Sequence, residues 1–170
     1  MTAMNDATAP VKPFVISREF DAPRELVWNA WTESERIKQW WGPKGAVVEY
    51  SKLDFRVGGM LHYCMRFAEQ EIWGKKVYRD ITKPERIVFV NSFSDKSGGT
   101  THHPMSPTWP LEMLTTVTFN EHGGKTTVTI EWIPINASAA ELKTFDEGRD
   151  SMNQGWSGTL GQLAEYLAKD

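Results

Sequence analysis

Between Ala46 and Pro134 the sequence reads as strand after strand, and this stretch constrains the fold more than any other. Six runs, 46–56, 60–67, 72–81, 86–94, 112–120 and 126–133, are candidate strands. They are punctuated by Gly58-Gly59, Lys83-Pro84, a long 97–110 loop and Gly123-Gly124. No helical periodicity intervenes, so the strands are spaced for hairpins and the sheet is expected to be antiparallel. Such a sheet has an apolar face to cover, and the cover has to come from either end of the chain.

Both ends supply it. Residues 1–12 are small, polar and proline-flanked and are expected to form a loose, disordered tail, leaving 13–170 as a single domain. Phe14–Phe20 places Phe14, Ile16 and Phe20 on one face of a strand. Asp21-Ala22-Pro23 then opens a helix, with Asp21 as expected cap and Pro23 in the first turn. A second short helix is expected from Ser34 to Trp41, ended by Gly42-Pro43. At the C-terminus, Ser138 and Glu141 have capping-box spacing for a short preliminary turn. The main helix is expected over about 147–167, where Met152, Trp156, Leu160, Leu163 and Leu167 form one apolar stripe. Its glycines each cost roughly 0.8–1 kcal/mol against alanine. Gly148 and Gly155 flank the stripe and remove bulk beside the sheet, whereas Gly158 and Gly161 point elsewhere.

The fold class is therefore α+β: a strongly bent antiparallel sheet wrapped around one long C-terminal helix, with two short helices after the first strand. A bent sheet diverges from a straight helix, and a cavity is expected between them.

Composition narrows the function by exclusion. A net charge of −3 advertises neither nucleic acid nor anionic lipid. Cys64 is the one cysteine, so an internal disulfide and a four-cysteine zinc site are excluded. The first residues lack the features of a secretory signal, and no apolar run approaches the ~20 residues that span a bilayer. A cytoplasmic protein without membrane insertion is expected.

Several ordered motifs carry a resemblance. Ser17-Arg18-Glu19-Phe20-Asp21-Ala22-Pro23 is followed by Val27-Trp28-x-Ala30-Trp31-Thr32 and Trp40-Trp41-Gly42-Pro43. Then come Asp54-x-Arg56-x-Gly58-Gly59, Pro84-Glu85-Arg86-Ile87-Val88-Phe89, and Gly155-Trp156 leading to Leu160, Leu163 and Leu167. Together they resemble the START-like (SRPBCC) helix-grip superfamily, whose fold is that of the birch-pollen allergen. Within it they look like the branch named after the C-terminal domain of the activator of the heat-shock-protein-90 ATPase. The resemblance implies a ligand-binding cavity and usually no cofactor, but no fixed activity. Members bind lipids, hormones and polyketides, some are polyketide cyclase- or dehydratase-like enzymes, and some act on chaperones. The extra N-terminal domain of the full chaperone activators has no counterpart in this sequence, which weighs against that role.

The expected guest is a small hydrophobic or amphipathic molecule. The inward set is read as Leu61, Tyr63, Met65, Phe67, Trp73, Phe89, Phe93, Met113, Val117 and Trp132 on the sheet, facing Met152, Trp156 and Leu160 on the helix. Trp109 joins them from the 97–110 loop, which carries apolar residues suited to a lid. No residue is assigned a catalytic role and no metal site is assigned. His102-His103 lacks further ligands at a recognisable spacing, Asp54 and Arg56 read as an ion pair beside a turn, and Cys64 as a small semi-buried residue. Trp28 and Trp31 read as core, while Trp40-Trp41 fit core or pocket equally. Arg18, His62, Tyr78, Glu112 and Glu131 are the strand polar residues from which one or two inward groups would come. A chaperone partner, and the choice between monomer and homodimer, stay open.

Overall fold

The computed structural model describes residues 11–104 and 106–169. Its elements are β1 (Phe14–Phe20), α1 (Arg24–Thr32), α2 (Ser34–Ile37), β2 (Val47–Leu53), β3 (Met60–Phe67), β4 (Gln70–Thr82), β5 (Arg86–Ser94), β6 (Thr100–Thr101), β7 (Glu112–His122), β8 (Lys125–Ile135), α3 (Ala139–Glu147) and α4 (Arg149–Ala168). The strands form one antiparallel sheet in the order β1-β8-β7-β5-β4-β3-β2, with β6 attached to β5. The fold is the α+β helix-grip arrangement, a curved open sheet closed by the C-terminal helix. The hairpin register follows the sequence, but β1 pairs with β8, bringing the two ends of the chain side by side. Register shifts at Val48/Tyr50 and Tyr78/Asp80 add local bend on the β2–β5 side.

The short helices fill one end of the concavity. Trp28 packs edge-on against Phe55 and Phe119, with centroids 6.1 and 5.3 Å away. Trp31 meets Trp40 at 4.9 Å, and the Trp40 indole N–H donates to the Ala30 carbonyl at 3.0 Å. These three indoles are buried core. Trp41, half-buried, turns the other way and faces the cavity.

Three local expectations need correction. Pro23, not Asp21, is the N-cap of α1, and no side chain caps that helix. The second helix spans Ser34–Ile37 alone, followed by turns. The capping box is present, with the Ser138 hydroxyl accepting from the Glu141 amide and the Glu141 carboxylate accepting from the Ser138 amide. It opens a nine-residue helix rather than a single turn, because Phe145 buries completely against the core. Gly148 separates α3 from α4, where a Cβ would stand 3.3 Å from the Trp109 ring. The 97–110 loop contains the short β6, and Thr108 accepts from the Thr144 hydroxyl of α3 at 2.9 Å. Most of the expected 1–12 tail lies outside the described residues. Val11 packs on the core, and Arg149 donates to the carbonyls of Lys12 and Pro13. No helix among the described residues is long and apolar enough to cross a membrane.

Candidate functional site

A cavity of about 630 Å³ lies between the concave face of β3–β8 and helices α3 and α4, within the usual range for small-molecule sites. The 97–110 loop covers one end of it with His103, Ser106, Trp109 and Pro110. Trp109 is fixed by Trp132 and Phe145, at 6.2 and 6.3 Å between centroids. Trp156 bridges Trp132 and Trp41, 5.8 Å from each. Four indoles thus form a continuous belt around the space.

Of the fourteen residues expected to face a guest, nine line this cavity: Tyr63, Met65, Phe89, Phe93, Trp109, Met113, Trp132, Met152 and Trp156. Leu61, Val117 and Leu160 point inward but are sealed in packed core, and Phe67 lies half-buried at the end of β3, outside the wall. Trp73 is on the other face. It pairs with Cys64 in the register, and its ring sits 5.1 Å from His62 and 5.6 Å from Tyr50. Placing Trp73 inward is a one-residue error in the parity of β4, which turns a whole strand over.

The same parity turns Lys76 inward. It is 2% exposed, lies in the cavity wall, and holds its amine 3.3 Å from the Trp41 ring centroid, with Phe89 at 4.8 Å and Trp31 at 5.3 Å. Among the described residues it has no hydrogen bond or ion pair. Burial therefore pushes its pKa well below the ordinary lysine range. Sequence reasoning missed it because a lysine on a strand is assumed to face water. The signal available was Gly74-x-Lys76-x-Tyr78, alternate positions that all bury. Asn91 and Trp41 were also outside the expected set.

The other polar side chains in the wall carry no charge at neutral pH. Burial raises the Tyr63 phenol and lowers the His103 imidazole. Arg18, His62, Tyr78, Glu112 and Glu131 all lie outside the wall. Asp54 and Arg56 form an exposed ion pair at 2.9 Å. Glu49, Cys64 and Glu71 bring their ligand atoms within 4.8 Å of one another. There the Arg66 guanidinium, 3.0 Å from Glu49 and 3.6 Å from Glu71, supplies the positive charge.

The family described as "Activator of Hsp90 ATPase homolog 1-like protein" matches residues 21–168. The chain belongs to that family. Solved structures of similar fold include a protein from Arthrobacter aurescens, 24% identical with a TM-score of 0.76, covering 94% of this chain and 88% of that one. One from Staphylococcus epidermidis is 27% identical, TM-score 0.68, covering 95% and 94%. An AHSA1 protein from Silicibacter pomeroyi is 18% identical, TM-score 0.67, covering 92% and 98%. No curated protein matches the chain significantly. The family and fold support a ligand-binding or related role in general terms.

Proposed function

We propose that this protein binds a small hydrophobic or amphipathic molecule in the cavity between the curved sheet and the C-terminal helices. The observation that carries the reading is the belt of Trp41, Trp109, Trp132 and Trp156 around about 630 Å³ of space. Four large aromatic side chains converge there without filling it, although cores otherwise pack to near-crystalline density. Affinity would come from buried apolar area, worth roughly 25 cal/mol per Å² before ordering costs. Native mass spectrometry of the protein purified from cells, followed by organic extraction, tests this directly. A stoichiometric small-molecule adduct is the expected result. A clean mass that stays clean after incubation with fatty acids and flat aromatic compounds, together with an unmoved melting temperature, would reject it.

A second reading, a cyclase- or dehydratase-like enzyme, is favoured by one observation: the wall contains an amine with a displaced pKa. Turnover of a polyketide-like carbonyl compound that is lost in Lys76→Met would establish it. The co-chaperone reading, which the family description suggests, is addressed by a chaperone ATPase assay, where stimulation by this protein would have to persist when the cavity is filled.

A further inference from the structure

Two nitrogen donors stand on the sheet side of the cavity wall, on Lys76 and Asn91. Lys76 holds its amine against three aromatic rings with no acceptor among the described residues. Asn91 stands directly opposite Lys76 on β5 and shares its inward face. The Asn91 side-chain oxygen accepts from the Thr115 hydroxyl, which fixes the amide and leaves its NH₂ group in the wall. The Trp132 indole N–H is buried without a partner. A buried donor without an acceptor is costly; the Trp132 N–H is sealed from the cavity, whereas the Lys76 amine and the Asn91 amide ask for an acceptor on the guest.

The charge arrangement is more specific. The titratable groups facing Lys76 are Tyr63 across the β3–β4 ladder, Tyr78 two residues along β4, and His103 at the loop end of the cavity. Helix α4 contributes Ser151, Met152, Gly155, Trp156 and Thr159 to the wall, none of them charged. No aspartate or glutamate lines the cavity among the described residues. No carboxylate among the described residues therefore balances an ammonium at this position, so the counter-charge has to arrive with the guest.

We propose that the guest is an acid, its anionic head, of the carboxylate class, held by the Lys76 ammonium and the Asn91 amide NH₂, with its apolar body among Trp41, Trp132 and Trp156. This rests on the binding reading above and adds a chemical class to it. Burial disfavours the ammonium in the empty cavity and an anion beside it favours it, so a carboxylate that enters already ionised draws protonation of Lys76 from solvent.

Anilinonaphthalene sulfonate and phenylnaphthylamine share a ring system and differ by the anionic group, and both fluoresce when buried. The wild-type protein is expected to bind the sulfonate at least about tenfold more tightly, as a charge-assisted contact in an apolar site provides. Lys76→Met should remove that preference while still binding phenylnaphthylamine, which also shows that the variant is folded. Independently of any variant, calorimetry of naphthoate binding to the wild type at several pH values between about 7 and 10, each in two buffers of different ionisation enthalpy, should report net proton uptake. Equal or stronger binding of the neutral probe by the wild type, a preference surviving in Lys76→Met, or naphthoate binding without proton uptake overturns the acid anchor and leaves the binding reading in place. Binding of none of the three probes removes both.

Discussion

Gly74 on β4 lies directly across from Tyr63 on β3, and a Cβ built on it would stand 2.5 Å from the phenolic oxygen and 2.7 Å from Cζ. The Tyr63 ring is thus laid over a strand position with no side chain, which brings it 6.1 Å from Trp41 and into the cavity wall. Gly74→Ala is expected to force the ring away and cost about 1–3 kcal/mol, the usual range for overpacking. Urea unfolding checks the cost. Combining it with Tyr63→Ala, which removes the clash, should lose clearly less than the sum of the two single changes. Full additivity would mean that the two residues do not interact.

Lys76 gives the protein a pH dependence of a particular sign. Its native pKa lies below the unfolded value of about 10.4, so between the two the unfolded chain binds the extra proton. Stability contributed by this group therefore rises with pH through that window. Below the lowered native value the cost of burying the ammonium is present in full. Lys76→Met fills the same space without a charge and is expected to be more stable than wild type at neutral pH, with the gap closing as pH approaches 10. Melting temperatures of both proteins from pH 6 to pH 10 give the comparison. A gap that is constant or widens would show that the amine is already neutralised by another group.

The fold was legible where a local pattern sufficed. Met60–Phe67 and Arg86–Ser94 match the expected runs at both ends, because each is rich in apolar residues and opens just after a turn or proline signal. Pairing of β1 with β8 was not readable, since residues more than a hundred positions apart share no local signal. Helix α3 was seen only as a turn because a single side chain, Phe145, is buried along its nine residues. Asp21 looked like a cap, yet the helix begins one residue after Pro23.

The site was legible as a face but not as a volume. Met152, Trp156 and Leu160 form one stripe, but only the first two line the cavity, and Leu160 is sealed in core. Periodicity tells which side of a helix is inward, not where packing stops. The two neighbours should accordingly separate experimentally. Leu160→Ala is expected to cost about 2–5 kcal/mol of stability, as for other buried leucines, with phenylnaphthylamine affinity unchanged. Trp156→Ala removes part of the indole belt and is expected to lose more than about 1 kcal/mol of probe binding. Unfolding curves and fluorescence titrations of the same two variants decide the assignment, and equal effects on binding would merge core and site.

Gly155 is solvent-exposed and in the cavity wall at once, so it marks the mouth between α4 and the sheet. A Cβ there would meet nothing within 4 Å, and its carbonyl already accepts from the Thr159 hydroxyl at 3.1 Å. The missing side chain therefore serves no packing need of the folded chain, although glycine inside a helix costs roughly 0.8–1 kcal/mol against alanine. Gly155→Ala is expected to recover that amount and leave the mouth open. Gly155→Leu should be equally well folded, but its side chain reaches over the opening and competes with the guest. Displacing ~1.4 kcal/mol of ligand contact would weaken phenylnaphthylamine binding about tenfold. The informative result is the combination, a protein that melts no earlier than wild type and binds less. If Gly155→Leu binds as well as wild type, the guest does not pass this flank of the helix, and the mouth must be sought at the Trp109 loop instead.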